Sequence, residues 1–379
     1  MATAVSEPLG RGDAPKAPGS RSALAEFLLV GGLTPFLYPL SWLARRVFGL
    51  DASEYAIGFF SFHAAHLIND PHFSVTYLLF YEGFRERAFG AVFPPSLRAR
   101  YLAVGVLAPL VLLVWAGYGA VTRSAPALGA LVQTMFLLVG WHYVKQGFGV
   151  LAVLSSRRGV VYSGDERLVL LLHGYAGWAY AWASPADPGT LLEEKVVVFM
   201  SWARSASLER VTFSVFVASF AAVVVMLVLR ARRERTLPHP APLFAYLSSI
   251  WAWSVYSGID PLVRYVVPAL HSVQYLAMVR LLRENEAREL EGPPRFERSA
   301  RVRVGLLALS ALFLGLVLFH GVGQALDAVL VRKAEALSDS GPTPYFAAIY
   351  VVVNLHHYLM DTVLWRRENP KTRYLRGPI

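Results

Sequence analysis

The chemistry open to this chain rests on ten histidines and a few carboxylates, because the sequence contains no cysteine. That absence removes thiolate zinc sites, iron–sulfur clusters, thiolate haem ligation and cysteine nucleophiles. Any metal must be held by His, Asp, Glu, Asn or Gln. The histidines gather in short polar stretches inside apolar runs. SFHAAHLINDPHFS holds His63, His66, Asp70 and His72. On an uninterrupted helix His63, His66 and Asp70 fall within about 60° of one another, and Pro71 can kink that helix enough to turn His72 to the same side. NLHHYLMD repeats the spacing with Asn354, His357 and Asp361, leaving His356 as a bridging or supporting group. WHYVKQGFG sets His142 and Gln146 one turn apart with Lys145 beside them, and DPLVRYVVPALHSVQYL sets Arg264 and His271 on one face, followed by Gln274 and Tyr275.

Neutral imidazoles joined by one or two carboxylates suit Fe(II), Zn, Mn or Cu. An aspartate one turn after a histidine either ligates the ion or orients the imidazole. The expected ligand set is His63, His66, Asp70, His72, His142, His271, His356, His357 and Asp361. Lys145, Arg264, Gln146 and Tyr275 are expected to act beside it, balancing carboxylate charge or gripping a polar substrate head. His173, His239 and His320 read as structural. Gly140, Gly147 and Gly149 read as places where a neighbouring helix, or a flat cofactor, comes close.

The elements that position these groups follow from composition. Only 16% of the 379 residues are charged and 55% are hydrophobic, whereas a soluble domain carries about 25% charged residues. A soluble enzyme and a secreted disulfide scaffold are both excluded. The expected fold is all-α, a polytopic membrane helix bundle. A window of about 19 residues marks ten spans: 23–43, 54–81, 101–121, 126–154, 167–184, 211–229, 241–259, 261–282, 304–328 and 343–365. Residues 1–22 form a disordered tail, 23–367 one transmembrane domain, and 368–379 a basic tail. The segment 185–210 reads as a short interfacial helix or a packed loop.

Between these spans, 26 Lys and Arg residues fall on one side and 8 on the other. That asymmetry places both termini in the cytoplasm. It also accounts for the net charge of +10 without nucleic acid as a partner. Arg outnumbers Lys by 31 to 5, the mark of a GC-rich coding sequence, and the expected location is a bacterial inner membrane. On spans two, four, eight and ten the key histidines lie about 14–24 Å from the outer end at 1.5 Å per residue. A shared level predicts that they converge.

HAAHLINDPH and NLHHYLMD resemble the histidine boxes of membrane non-haem iron enzymes of the fatty-acid desaturase and hydroxylase type. The distribution of single histidines over several helices is similar to that of the Brp/Blh-type carotenoid-cleaving dioxygenases. WHYVKQGFG and HHYLMD also resemble segments of uncharacterised bacterial polytopic membrane proteins. The resemblance implies iron as the cofactor, with His63, His66, His142, His271, His356 and His357 as ligands. It further implies an electron donor and a lipid, fatty acyl or isoprenoid substrate taken from the bilayer. Two other readings stay open: a proton- or ion-coupled transporter with a His/Asp/Lys/Arg relay, and a bis-His haem protein for electron transfer. Zinc is the alternative ion.

Overall fold

The computed structural model describes residues 20–184, 191–194, 197–200, 203–258, 260–291, 299–331 and 342–375. Almost all of them are helical. Long Leu, Val, Ala and Phe runs leave no polar side chains to satisfy the backbone, so each segment closes its own N–H and C=O groups as a helix. In chain order the helices are α1 (Ser20–Phe27), α2 (Thr34–Phe48), α3 (Leu50–Ala65), α4 (Asn69–Tyr81), α5 (Phe84–Ala88), α6 (Pro95–Val121) and α7 (Ala125–Ser156). They continue with α8 (Gly164–Ala183), α9 (Ala206–Glu234), α10 (Pro240–Leu247), α11 (Pro261–Glu291), α12 (Ala300–Leu330) and α13 (Pro344–Leu364). A 3₁₀ turn at Pro370–Leu375 follows α13.

Among the described residues five helices are long and apolar enough to cross a membrane, and α1 and α2 add a sixth if that pair, bent by 62°, is one span. This is the pattern of a membrane protein. These five long helices cover five of the ten spans expected from hydropathy; several of the others are divided, bent or irregular. The first breaks at Gly31, whose φ of +134° lies where only glycine is unstrained. The second, expected over 54–81, divides into α3 and α4 at residues 66–68. Pro71 is the cause: its ring clashes with the carbonyl four residues back, and it sits instead in the first turn of a new helix, where it is tolerated. The seventh leaves α10 as a π-helical stretch over Ser248–Val255. Within 185–210, the described strands Leu191–Glu194 and Val197–Met200 pair antiparallel where a helix or loop was expected; β-branched valines favour that pairing.

Helix α13 is the hub. It packs on α4, α6, α7 and α12, and a core of Phe73, Leu131, Met135, Phe319, Val351 and Leu355 closes around it. Helix α11 packs on α3, α4, α7 and α12 and on the Pro370–Leu375 turn. Helices α8 and α9 pair on the far side of α7 around Leu151, Leu170, Phe216 and Ile250. At Gly147 α7 comes against the π-helical stretch with no room for a side chain: a Cβ there would stand 2.5 Å from the Ser249 side chain.

The ends of α4 and α11 are tied to the C-terminal turn by charge. Glu82 takes Arg283 at 2.7 Å and Lys371 at 2.5 Å, and Lys371 also reaches Glu286 at 3.0 Å. Partial burial raises the Glu82 pKa, but the hydrogen bonds and charges of Arg283 and Lys371 outweigh it and hold the carboxyl at about 2.

Candidate metal centre

Four helices each deliver one imidazole to a single buried point. They are His72 from α4, His142 from α7, His271 from α11 and His357 from α13. All four are buried, and one ring nitrogen from each lies within 4.8 Å of the other three. His142 stands between two of them, its Nε2 being 3.1 Å from His271 Nε2 and 3.2 Å from His357 Nε2. The His72 ring meets those of His357 and His271 edge-on, at 4.5 and 4.9 Å between centroids.

Hydrogen bonding does not account for this arrangement. One ring nitrogen carries either a proton or a single in-plane lone pair. His142 Nε2 therefore cannot make two well-directed bonds to two other Nε2 atoms. A further ring nitrogen, His72 Nε2, is buried with no hydrogen-bond partner among the described residues. Leaving such a group unsatisfied costs about 1–3 kcal/mol. Nitrogens bound at 2.0–2.1 Å to a tetrahedral ion stand about 3.3 Å apart, close to the two spacings seen here. The donor set fits a divalent transition ion.

The surroundings orient the rings. Ser272 on α11 donates its one hydroxyl proton to Asn69 Oδ1 at 2.8 Å, so at 3.1 Å its oxygen accepts from His72 Nδ1. That assigns the proton of His72 to Nδ1 and leaves Nε2 with a lone pair toward the other three rings. Gln146 donates to the His271 carbonyl at 3.0 Å and to Gln274 Oε1 at 2.9 Å, and Gln274 donates to the Val30 carbonyl. Asp361 Oδ2 lies 3.7 Å from His142 Nδ1 and 3.8 Å from His357 Nε2. Its other oxygen accepts from the Tyr275 hydroxyl and from Trp365 Nε1, each at 2.9 Å. Asp361 is thus held beside the imidazoles, outside bonding distance of them. Tyr275 also shares a 2.7 Å hydrogen bond with Thr76, and its ring meets His72 at 4.4 Å.

The remaining expected residues lie elsewhere. His63 is exposed, packed on Phe59 and His66. The α3–α4 break turns His66 and Asp70 away from the four imidazoles and toward His320: Asp70 Oδ2 is 3.3 Å from His66 Nδ1 and 2.9 Å from His320 Nε2. His356 is buried but fully used, donating from Nε2 to the Val104 carbonyl and accepting at Nδ1 from Tyr77, both at 3.0 Å. Lys145 and Arg264 are exposed while the four imidazoles are buried. His173 is held by Ser219 and Trp251 and stacks on Phe216. His239 caps α10.

The sequence reads His320 as structural, because counting along an ideal helix puts it near the outer end of its span. The π turn over Leu316–Gly321 and the packing of α12 on α4 bring it to Asp70, and neither is visible in the spacing. Ser272 and Asn69 were missed for a similar reason: their partners come from other helices.

No protein-family model matches the chain, and neither a curated protein nor a solved structure matches it.

Proposed function

We propose that this chain is a membrane metalloenzyme whose four-histidine centre holds non-haem iron and oxidises a lipid, fatty acyl or isoprenoid substrate drawn from the bilayer. The observation that carries this reading is the convergence of His72, His142, His271 and His357 on one buried point, in a chain without sulfur ligands. Iron held there would supply redox chemistry toward dioxygen, with an external electron donor. The protein's part is to orient the His72 ring through Ser272, to hold the His271 backbone through Gln146, to exclude water by burial, and to keep the Tyr275–Asp361 hydrogen bond next to the rings. The exposed cations Lys145 and Arg264 then belong to the periphery, not to the centre.

Geometry disfavours haem as the occupant. A bis-His haem would need an open slot for the flat macrocycle between its two imidazoles. Here the Nε2 atoms are 3.1 and 3.2 Å apart and other rings crowd the gap. A proton-relay transporter is the second reading, supported by the intramembrane His–His and His–Asp neighbours. The membrane arrangement proposed with the iron centre is ten crossings, both termini in the cytoplasm and a bacterial inner membrane. It rests on the 26-to-8 division of basic residues, with the α1–α2 pair, the α3–α4 pair, α8, α10 with its π-helical stretch, and α13 completing the other five crossings beside the five long helices.

The test is metal analysis and an absorption spectrum of full-length protein purified in detergent without chelators. One equivalent of iron with no Soret band supports the centre. A Soret band, or transition metal far below one equivalent together with proton-coupled transport in vesicles, overturns it.

A further inference from the structure

Apart from the four imidazoles, one other group of donors among the described residues converges on a point: His66, Asp70 and His320. Each comes from an irregular stretch of backbone. His66 is the C-cap residue of α3, Asp70 lies in the first turn of α4 just past the break, and His320 sits on the π turn of α12. Irregular helix at membrane depth is retained only where protein or a cavity takes up its backbone groups, and π turns often mark functional sites. Helix α12 reaches Asp70 because residue 315 is glycine. A Cβ at Gly315 would stand 3.0 Å from Asp70 Cβ, so any side chain there would push the two helices apart.

With both imidazoles neutral and the carboxyl ionised, the charges at this point do not balance without a metal cation. Asp70 is 4% exposed, and its side chain meets two imidazoles and, among the described residues, no lysine or arginine. A buried carboxylate needs a compensating charge, and neutral imidazoles carry none. Both ring nitrogens point at the same oxygen, at 3.3 and 2.9 Å, with the rings edge-on at 4.3 Å. The His66 side chain is 39% exposed and that of His320 19%, so the point is open on one side, unlike the four-histidine centre. Two imidazoles and one carboxylate with an open side are the donor set of a mononuclear divalent transition-ion site that keeps free positions for water or a ligand oxygen.

We infer that His66, Asp70 and His320 form a second divalent transition-metal site, separate from the four-histidine centre and accessible from outside the bundle. It does not depend on the four-histidine reading, and zinc alone as the probe separates the two. Full-length protein in detergent is equilibrated with Zn²⁺, and bound metal is counted beside the monodispersity and melting of each variant. Wild type should bind about two equivalents, His320→Ala about one and His72→Ala about one. His66→Ser should also lose one equivalent; its half-exposed ring is removable without opening the core, which guards against loss of binding through misfolding.

Zinc retained in folded His320→Ala and His66→Ser at the wild-type level overturns the second site, as does a wild type whose only equivalent disappears in His72→Ala. In those cases the three residues are a hydrogen-bonded cluster with one protonated imidazole. A single equivalent lost in His320→Ala and kept in His72→Ala supports the second site and removes the first. No bound metal of any kind overturns both.

Discussion

His356 and His357 are neighbours in the chain with opposite fates: His357 Nε2 lies 3.2 Å from His142 Nε2, while both ring nitrogens of His356 are taken up by Tyr77 and the Val104 carbonyl. Successive residues on a helix point about 100° apart, so α13 sends one imidazole to the centre and uses the other to hold α4 and α6.

This separates the two by experiment. His357→Ala should empty the centre, read as a fall in bound metal in purified protein. His356→Ala should keep the metal and lose stability by about 1–3 kcal/mol, because it leaves a buried carbonyl and a tyrosine hydroxyl without their partner. Loss of metal in both variants at equal stability would contradict the assignment of His356.

Ser272 sets the tautomer of His72. Ser272→Ala should weaken metal binding about 10–100-fold, the usual effect of removing a group that orients a ligating imidazole. Ser272→Thr, which keeps the hydroxyl, should restore most of it. Chelator competition measures the difference, and identical affinities in all three proteins would show that His72 needs no such partner.

The sequence carried the class of protein and most of the centre, for reasons that can be traced to particular residues. His142, His271 and His357 were legible because each is a polar residue in an otherwise apolar run, at a level its partners share. His72 was legible only as a consequence of Pro71, whose effect on α4 could be foreseen in kind but not in angle. His63, His66 and Asp70 do lie side by side, but their expected direction toward the other histidines came from drawing 54–81 as one helix. Once the chain breaks at 66–68, the angles computed across the break have no meaning. His320 was out of reach because its partnership depends on α12 lying against α4, which no local pattern encodes.

The proposed topology has its own test. Reporters fused after Arg204, ahead of α9, and after Arg367, beyond α13, should report opposite sides of the membrane, with Arg367 cytoplasmic. The expectation rests on the retention of Lys- and Arg-rich loops in the cytoplasm. The cluster of Glu82, Arg283 and Lys371 belongs to that same basic side. Two reporters on one side would refute ten crossings with both ends inside, without touching the metal centre.

Glu82 offers a stability switch with a defined direction. Its carboxyl is held at about 2, below its ordinary 4.5, by Arg283 and Lys371. A group with a depressed folded-state pKa contributes stability that is fully present above the unfolded value and lost as pH falls through the folded one. The window is therefore about pH 4.5 down to pH 2. Glu82→Gln should melt lower than wild type at pH 6, by about 1–3 °C, since the carboxyl is nearly half exposed and such pairs are worth little individually. The gap should narrow at pH 3 and close near pH 2, where the wild-type carboxyl is itself protonated. High salt at pH 6 should shrink it too, because exposed charges are screened. A gap that persists unchanged to pH 2 would show that glutamine disturbs packing at the end of α4, and that the ion pairs with α11 and the C-terminal turn contribute nothing measurable.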